Sequence, residues 1–138
     1  MKLNLFASTL VLFSFLSAQA SSINWQGIFV AGDDSIENFD NSRVDLTNLM
    51  SQFTTMKTAQ FTSTRNKFSQ TVYPATIQNI SAVFNTTPVA NGEGCFVHFT
   101  SHGAKHQGFY LSLSGILSPE MFSSMVNRKC GNAPTIIL

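Results

Sequence analysis

The stretch from residue 94 to residue 103 holds the side chains best suited to catalysis. It reads Gly-Cys-Phe-Val-His-Phe-Thr-Ser-His-Gly, an apolar run that ends abruptly at Ser101, His102 and Gly103. A histidine at the end of a buried strand can serve as a general base. The glycine after it leaves a backbone N–H unobstructed beside the ring, as an oxyanion hole requires. The pattern therefore favours a general base at His102 next to an oxyanion donor at Gly103.

Two carboxylates allow a different chemistry. Asp33 and Asp34 follow a short apolar run, and acidic pairs at strand ends can hold Mg²⁺ together with several waters. His98, His102 and His106 recur at every fourth residue, which on a helix would put three ligands on one face. The apolar, strand-like surroundings of His98 argue against that helix and predict a structural role for it, with His106 in an exposed turn. A metal-dependent hydrolase stays an alternative hypothesis, and the main interpretation needs no metal or cofactor.

Cys95 and Cys130 are the only cysteines in the sequence. In an exported protein, such a pair more often forms a disulfide than a metal site or a nucleophile. Cys95 opens a predicted strand and Cys130 closes a predicted helix, so neither lies where an activated thiol is usually displayed. A disulfide and two buried free thiols remain equally open alternatives.

The first twenty residues have the pattern of a secretory signal peptide. Lys2 is followed by a mostly apolar run over residues 3–16, and then by the small-x-small sequence Ala18-Gln19-Ala20. The run is shorter than the roughly 20 residues that span a bilayer. We therefore predict a signal peptide over residues 1–20, its removal before Ser21, export to the periplasm or the outside, and no stable membrane span in the mature chain.

The remaining residues, 21–138, are near the size of one domain. The eight basic and seven acidic residues of the sequence become seven of each once Lys2 is removed with the signal peptide, which leaves no basic stripe for a phosphate backbone. Nucleic acid is therefore not an expected partner, and a protein or peptide is. The sequence gives no signal for an oligomeric state.

Apolar runs and turn residues alternate along this domain. Residues 28–31, bounded by Gly27 and Gly32, predict a strand buried on both faces. Helical spacing with capping residues predicts further elements, namely helices over residues 42–53, 74–85 and 119–130 and strands near residues 59–65, 94–100 and 134–138. This order, with a hairpin after residue 103, predicts an α/β fold of three layers with a mainly parallel sheet. In such sheets function gathers at the carboxyl ends of the strands.

The strand that ends in Ser-His-Gly, followed by Gly108-Phe109-Tyr110-Leu111, resembles the catalytic-histidine segment of the caspase/legumain clan of cysteine peptidases. Residues 117–138, with Cys130-Gly131-Asn132-Ala133-Pro134 before the last strand, are similar to the segment that precedes the nucleophile there. Residues 27–32 resemble the first strand of the legumain-like branch, and its exported bacterial members look most similar. The resemblance covers most of residues 27–138 and implies a caspase-like fold.

The resemblance also implies roles for individual residues. His102 would pair with a cysteine nucleophile, and Gly103 N–H would bind the oxyanion. Arg43 would line the pocket for an acidic or amide P1 side chain, with Ser101 as a second substrate-binding residue; the alternative for Arg43 is a solvated helix residue. The activity implied is cleavage after Asn or Asp.

The sequence departs from the family at one essential point. The family's nucleophile would stand in an Ala-Cys context a few residues past Leu138. We therefore expect residues 21–138 to be the N-terminal part of a peptidase domain that lacks its C-terminal part and is inactive as given. The alternative is a non-catalytic, exported domain that binds peptide.

Overall fold

The computed structural model describes residues 23–138, so the predicted signal peptide lies outside the described residues. Eight strands are present: β1 (Trp25–Ala31), β2 (Met56–Thr62), β3 (Val72–Pro74), β4 (Gly94–Thr100), β5 (Gly103–Ala104), β6 (Gly108–Leu111), β7 (Gly115–Leu117) and β8 (Thr135–Ile137). The same described residues form three α-helices, α1 (Glu37–Phe53), α2 (Ile77–Phe84) and α3 (Pro119–Cys130), and a short 3-10 helix (Arg65–Lys67).

Five of the strands form one parallel sheet in the order β3-β2-β1-β4-β8. Ala31 at the end of β1 is level with Thr62 on one side and with Thr100 on the other. The three central strands therefore end together at one edge of the sheet. The predicted α/β fold with a mainly parallel sheet is confirmed.

The helices cover the two faces of this sheet and make three layers. Alternate residues of the central strands, such as Ile28 and Val97, share a core with α2 and α3. The intervening residues face α1, where the Phe29 and Phe96 rings lie 5.4 Å apart. Since both faces are covered, β1 is apolar on both sides, as parallel sheets require.

The strands β5, β6 and β7 form a separate antiparallel sheet directly after β4. We call this three-stranded unit the hairpin sheet. Leu111 and Leu117 anchor it in the main core, where both are fully buried. The Phe109 ring stacks on Phe99 at 4.4 Å between centroids. The hairpin sheet is thereby fixed beside the carboxyl edge of the parallel sheet.

Helix α1 differs from its prediction. It begins at Glu37 rather than at residue 42, and its N-cap is Ile36, which makes no side-chain capping bond. Asp34, which with Glu37 has the spacing of a capping box in the sequence, is not the N-cap. The helical spacing of Leu46, Leu49, Met50 and Phe53 predicts one apolar face, and this prediction is wrong at its end, because Leu49 and Phe53 are exposed, Phe53 to 77%. Arg43 of the same helix is instead buried.

The ends of the other helices follow local sequence more closely. Ser118 caps α3 by accepting a hydrogen bond from the Met121 backbone N–H, and Gly131 ends that helix with a φ of 53°. The predicted bounds of α3 are confirmed, although Met121 is exposed rather than buried. Helix α2 begins after the Thr76 cap, because Pro74 instead ends the short strand β3, which was not predicted.

No helix within residues 23–138 combines the length and the apolar character needed to cross a bilayer.

Candidate active site

Asp33 and His102 meet at the carboxyl edge of the sheet. Each follows its strand by two residues, and those strands, β1 and β4, are neighbours that end level with each other. The Asp33 Oδ2 atom lies 2.5 Å from His102 Nδ1. Parallel pairing thus turns two distant sequence positions into a carboxylate–imidazole pair.

The Asp33 carboxylate is held by further donors. The Ser35 backbone N–H donates to Oδ1 at 2.8 Å, and the Ser112 hydroxyl donates to the same oxygen at 3.1 Å. Burial raises the pKa of the Asp33 carboxyl, but these bonds and the one from His102 lower it, and the net pKa is about 2. Asp33 is therefore ionised at neutral pH and only 2% exposed.

This carboxylate fixes the tautomer of His102. Because an ionised carboxylate only accepts hydrogen bonds, Nδ1 carries the proton, and in the neutral ring the lone pair is then on Nε2. The Phe39 ring packs on the imidazole in a T-shaped arrangement, with the ring centroids 5.0 Å apart and the two planes at 87°. The His102 side chain is still 52% exposed, so Nε2 is accessible to a reactant. The ring is oriented as a general base requires.

Gly103 presents a backbone N–H next to this ring. It opens β5 opposite Phe109, and the adjacent ladder bond runs from Tyr110 N–H to the His102 carbonyl at 2.9 Å. In such an antiparallel pair, the N–H of the residue after the bonded carbonyl points away from the partner strand. β5 is an edge strand, so the Gly103 N–H is directed outward. It is placed to donate to an oxyanion.

The hairpin sheet holds both members of the pair. The Ser101 hydroxyl donates to the Tyr110 carbonyl, beside the Tyr110–His102 backbone bond. Ser112 makes three hydrogen bonds with the segment around Asp33. Its hydroxyl donates to the Asp33 carboxylate and accepts from the Asp34 backbone N–H at 3.1 Å, and its backbone N–H donates to the Gly32 carbonyl at 2.9 Å. The Ser101 hydroxyl is used within the protein, so its contacts give no support to the predicted substrate-binding role.

Arg43 lies elsewhere. It is 3% exposed, and its guanidinium donates to Asp40 Oδ1 at 2.9 Å and to the Gln60 side chain on β2. Burial raises the pKa of Asp40, but the hydrogen bond from Arg43 outweighs it and the net pKa is lowered. The alternative of a solvated residue is wrong, because Arg43 is buried. Its contacts lie in the packing of α1 on β2 and give no support to the predicted pocket role, which stays a prediction.

The two cysteines form a disulfide in the structure, with Cα atoms 5.5 Å apart. The bond ties the start of β4 to the end of α3, at the sheet edge opposite His102. Both cysteines are buried, Cys95 completely and Cys130 to 97%. Neither is available as a nucleophile or as a ligand.

The three histidines do not converge. His98 is buried on the α1 face of β4, 3.5 Å from the Ser42 hydroxyl, and burial lowers its pKa. His106 lies exposed in the turn between β5 and β6 with a φ of 60°. Within residues 23–138, no three side chains of the His, Cys, Asp and Glu types come close enough to share a metal ion. The arrangement gives no support to the metal-dependent alternative.

Sequence reasoning missed two functional residues of this site. Asp33 was considered only as a metal ligand, and Ser112 was not considered at all. The signal for Asp33 was available, since it and His102 each stand two residues beyond strands that a parallel sheet makes neighbours. No local signal marks Ser112, whose position depends on how the hairpin sheet folds back.

No protein-family model matches this chain, and a search of the curated proteins finds no match either.

Proposed function

We propose that this chain is the N-terminal part of a cysteine-type endopeptidase domain of the legumain-like kind, with His102 as its general base. The observation that supports it best is the Asp33–His102 pair, which is followed directly in the chain by Gly103 with its outward N–H. A base, a residue that orients it and an oxyanion donor are the parts that acyl transfer needs besides the nucleophile.

In the proposed reaction, Nε2 of His102 takes the proton of a cysteine thiol. The thiolate sulfur bonds to the scissile carbonyl carbon, and Gly103 N–H donates to the oxyanion that forms. When the carbon–nitrogen bond breaks, His102 returns the proton to the leaving amine. Water then releases the acyl group by the same route. Asp33 stays ionised throughout and stabilises the imidazolium.

The nucleophile belongs, by the sequence resemblance, to the segment that follows β8. Strand β8 runs parallel to β4, with Ile137 level with Val97. A chain continuing in this register would be level with His102 about four residues beyond Leu138. That is where an Ala-Cys sequence is expected, so determining the coding sequence past Leu138 is the first test. A downstream sequence that continues past this point without a cysteine would reject the thiol mechanism.

The substrate proposal is cleavage after Asn or Asp. It rests on the resemblance, and the contacts of the Arg43 guanidinium with Asp40 and Gln60 give it no support. The substrate would be a protein or peptide that reaches the open carboxyl edge of the sheet.

We also propose that the protein is exported. The N-terminal pattern of residues 1–20 and the Cys95–Cys130 disulfide both fit an oxidising compartment. N-terminal sequencing of the mature protein from its source should begin at Ser21. A mature protein that retains Met1 or Lys2 would contradict this.

The catalytic roles are tested with the protein produced from its full natural gene. Peptides containing a single Asn or Asp are incubated with the wild type and with His102→Ala, Gly103→Ala and Gly103→Pro variants. His102→Ala should abolish hydrolysis. Gly103→Ala keeps the donor and has open space for a Cβ atom, whereas Gly103→Pro removes the N–H. Only the proline variant should lose about 10²–10³ in kcat. Equal rates for wild type and His102→Ala would refute the peptidase proposal.

A non-catalytic peptide-binding domain is the second candidate. The observation that favours it is that both cysteines of the sequence are used in the disulfide. Under this proposal, the same peptides would bind to the full-length protein and to His102→Ala with equal affinity, and none would be cleaved.

A further inference from the structure

A groove of about 380 Å³ begins at Gly103, beside the Asp33–His102 pair. Its walls come from the hairpin sheet and from the first turn of α3; they include Gly103, Ala104, Phe109, Pro119 and Phe122. This volume is within the range of roughly 300–1,000 Å³ that is typical of ligand pockets. The groove is therefore large enough for a substantial side chain.

The floor of the groove is formed by the rings of Phe109 and Phe122, which pack on the buried ring of Phe99. The centroid of the Phe99 ring lies 4.4 Å from that of Phe109 and 5.7 Å from that of Phe122. The centroids of Phe109 and Phe122 are 5.2 Å apart. Phe99 is buried, whereas Phe109 and Phe122 are only partly covered and are exposed on the groove side. Each ring packs on the other two, so the surface is formed before any ligand arrives. Preformed aromatic surface binds apolar groups with little ordering cost.

The composition of the lining disfavours charged ligands. None of its residues is Asp, Glu, Lys or Arg, and His106 and Gln107 provide its polar side chains. A carboxylate or an ammonium group placed here would lose water without gaining an opposite charge. A large apolar group would replace water against the rings of Phe109 and Phe122.

We propose that this groove binds a large apolar side chain of the substrate, on the leaving-group side of the scissile bond. The inference rests on the proposed peptidase function. In that reaction, the carbonyl oxygen lies at Gly103 N–H, and the leaving nitrogen lies at His102, which protonates it. Gly103 itself lines the groove, together with the strands that follow His102, so the residue just beyond that nitrogen would lie within reach of it.

The test measures binding, so that it does not depend on turnover. Two matched peptides carry one Asn followed by either Phe or Gly, with blocked ends and otherwise identical sequence. Their dissociation constants are measured by calorimetry with the full-length protein carrying His102→Ala, which prevents cleavage. The Phe peptide should bind about tenfold more tightly or better. Adding Phe122→Ala should remove this preference.

Met121→Ala is the matched control for the second substitution. Met121 is the neighbour of Phe122 on α3, is 43% exposed and lines a different groove, between α2 and α3. It should leave the preference unchanged. Should Phe122→Ala unfold the protein, Ala104→Leu fills the groove without opening a cavity and should also remove the preference. Equal affinity of the two peptides for the unaltered groove would overturn the inference.

Hydrolysis of the same peptides by the protein with His102 intact separates this inference from the proposed function. A preference for Phe in binding with no hydrolysis would reject the peptidase and keep the groove as an apolar peptide site. Hydrolysis with no preference would keep the peptidase and reject the groove.

Discussion

Asp33 Oδ2 lies 2.5 Å from His102 Nδ1, although 69 residues separate the two in the chain. The pair depends on β1 and β4 being adjacent and level, with Ala31 opposite Thr100. It also depends on donors that keep Asp33 ionised, namely Ser35 N–H and the Ser112 hydroxyl. The arrangement gives His102 one defined tautomer with Nε2 free, and the predictions below follow from it.

Replacing Asp33 should affect catalysis far more than replacing its neighbour. Asp33→Asn puts a neutral amide against Nδ1, which favours the wrong tautomer and removes the charge that stabilises the imidazolium. We expect kcat/KM for Asn-containing peptides to fall by roughly 10²–10⁴-fold. Asp34→Asn is the matched control, because the Asp34 side chain is exposed and only its backbone N–H binds Ser112. Similar losses in the two variants would contradict the assigned role of Asp33.

Ser112 should act as a positioning residue for Asp33. Ser112→Ala removes a donor to Oδ1, so the pKa of Asp33 should rise from about 2, and kcat should fall by about tenfold or less. Ser114→Ala is the matched control in the same turn, because the Ser114 hydroxyl instead accepts the Ile77 N–H at the start of α2. Carbon-13 NMR titration of the Asp33 carboxyl distinguishes the two. A pKa of Asp33 that is the same in both variants would exclude the positioning role.

The Asp33 carboxylate should also make stability depend on pH in the acid range. Its folded pKa of about 2 is below the usual 3.8, so its contribution is present above about pH 4 and is lost as the pH falls towards 2. The loss amounts to about 2 kcal/mol of unfolding free energy. Urea unfolding between pH 2 and 5 should show this decrease in the wild type and a smaller one in Asp33→Asn. Parallel curves for the two proteins would rule it out.

Arg43 should matter for stability and not for substrate choice. Arg43→Ala leaves Asp40 buried without its partner, which costs about 3 kcal/mol or more. Replacing both residues by apolar ones, as in Asp40→Leu with Arg43→Met, should recover much of this loss. Chemical denaturation measures both effects. The ratio of rates for Asn and Asp peptides should stay the same, and a changed ratio in the double variant would return Arg43 to the substrate pocket.

Where structure depends on neighbours in the chain, the sequence predicted it well. The cap at Ser118, the helix end at Gly131 and the doubly buried β1 all follow from local residue preferences. The order of these elements was sufficient to predict the parallel α/β sheet, because few topologies satisfy short, right-handed connections. The same reasoning placed His102 at the carboxyl edge.

Where structure depends on contacts across the chain, only the fold decided it. Arg43 on α1 is buried with Asp40 and Gln60, whereas Leu49 and Phe53 are exposed, so spacing alone misassigned part of the buried face. The sequence predicted a cysteine partner for His102, or a metal in the alternative, and only the placement of β1 beside β4 brings the Asp33 carboxylate to its ring. Ser112 acquires its role because the hairpin sheet folds back on Asp33. Residue types and local spacing determined which elements form, and long-range packing determined which side chains meet.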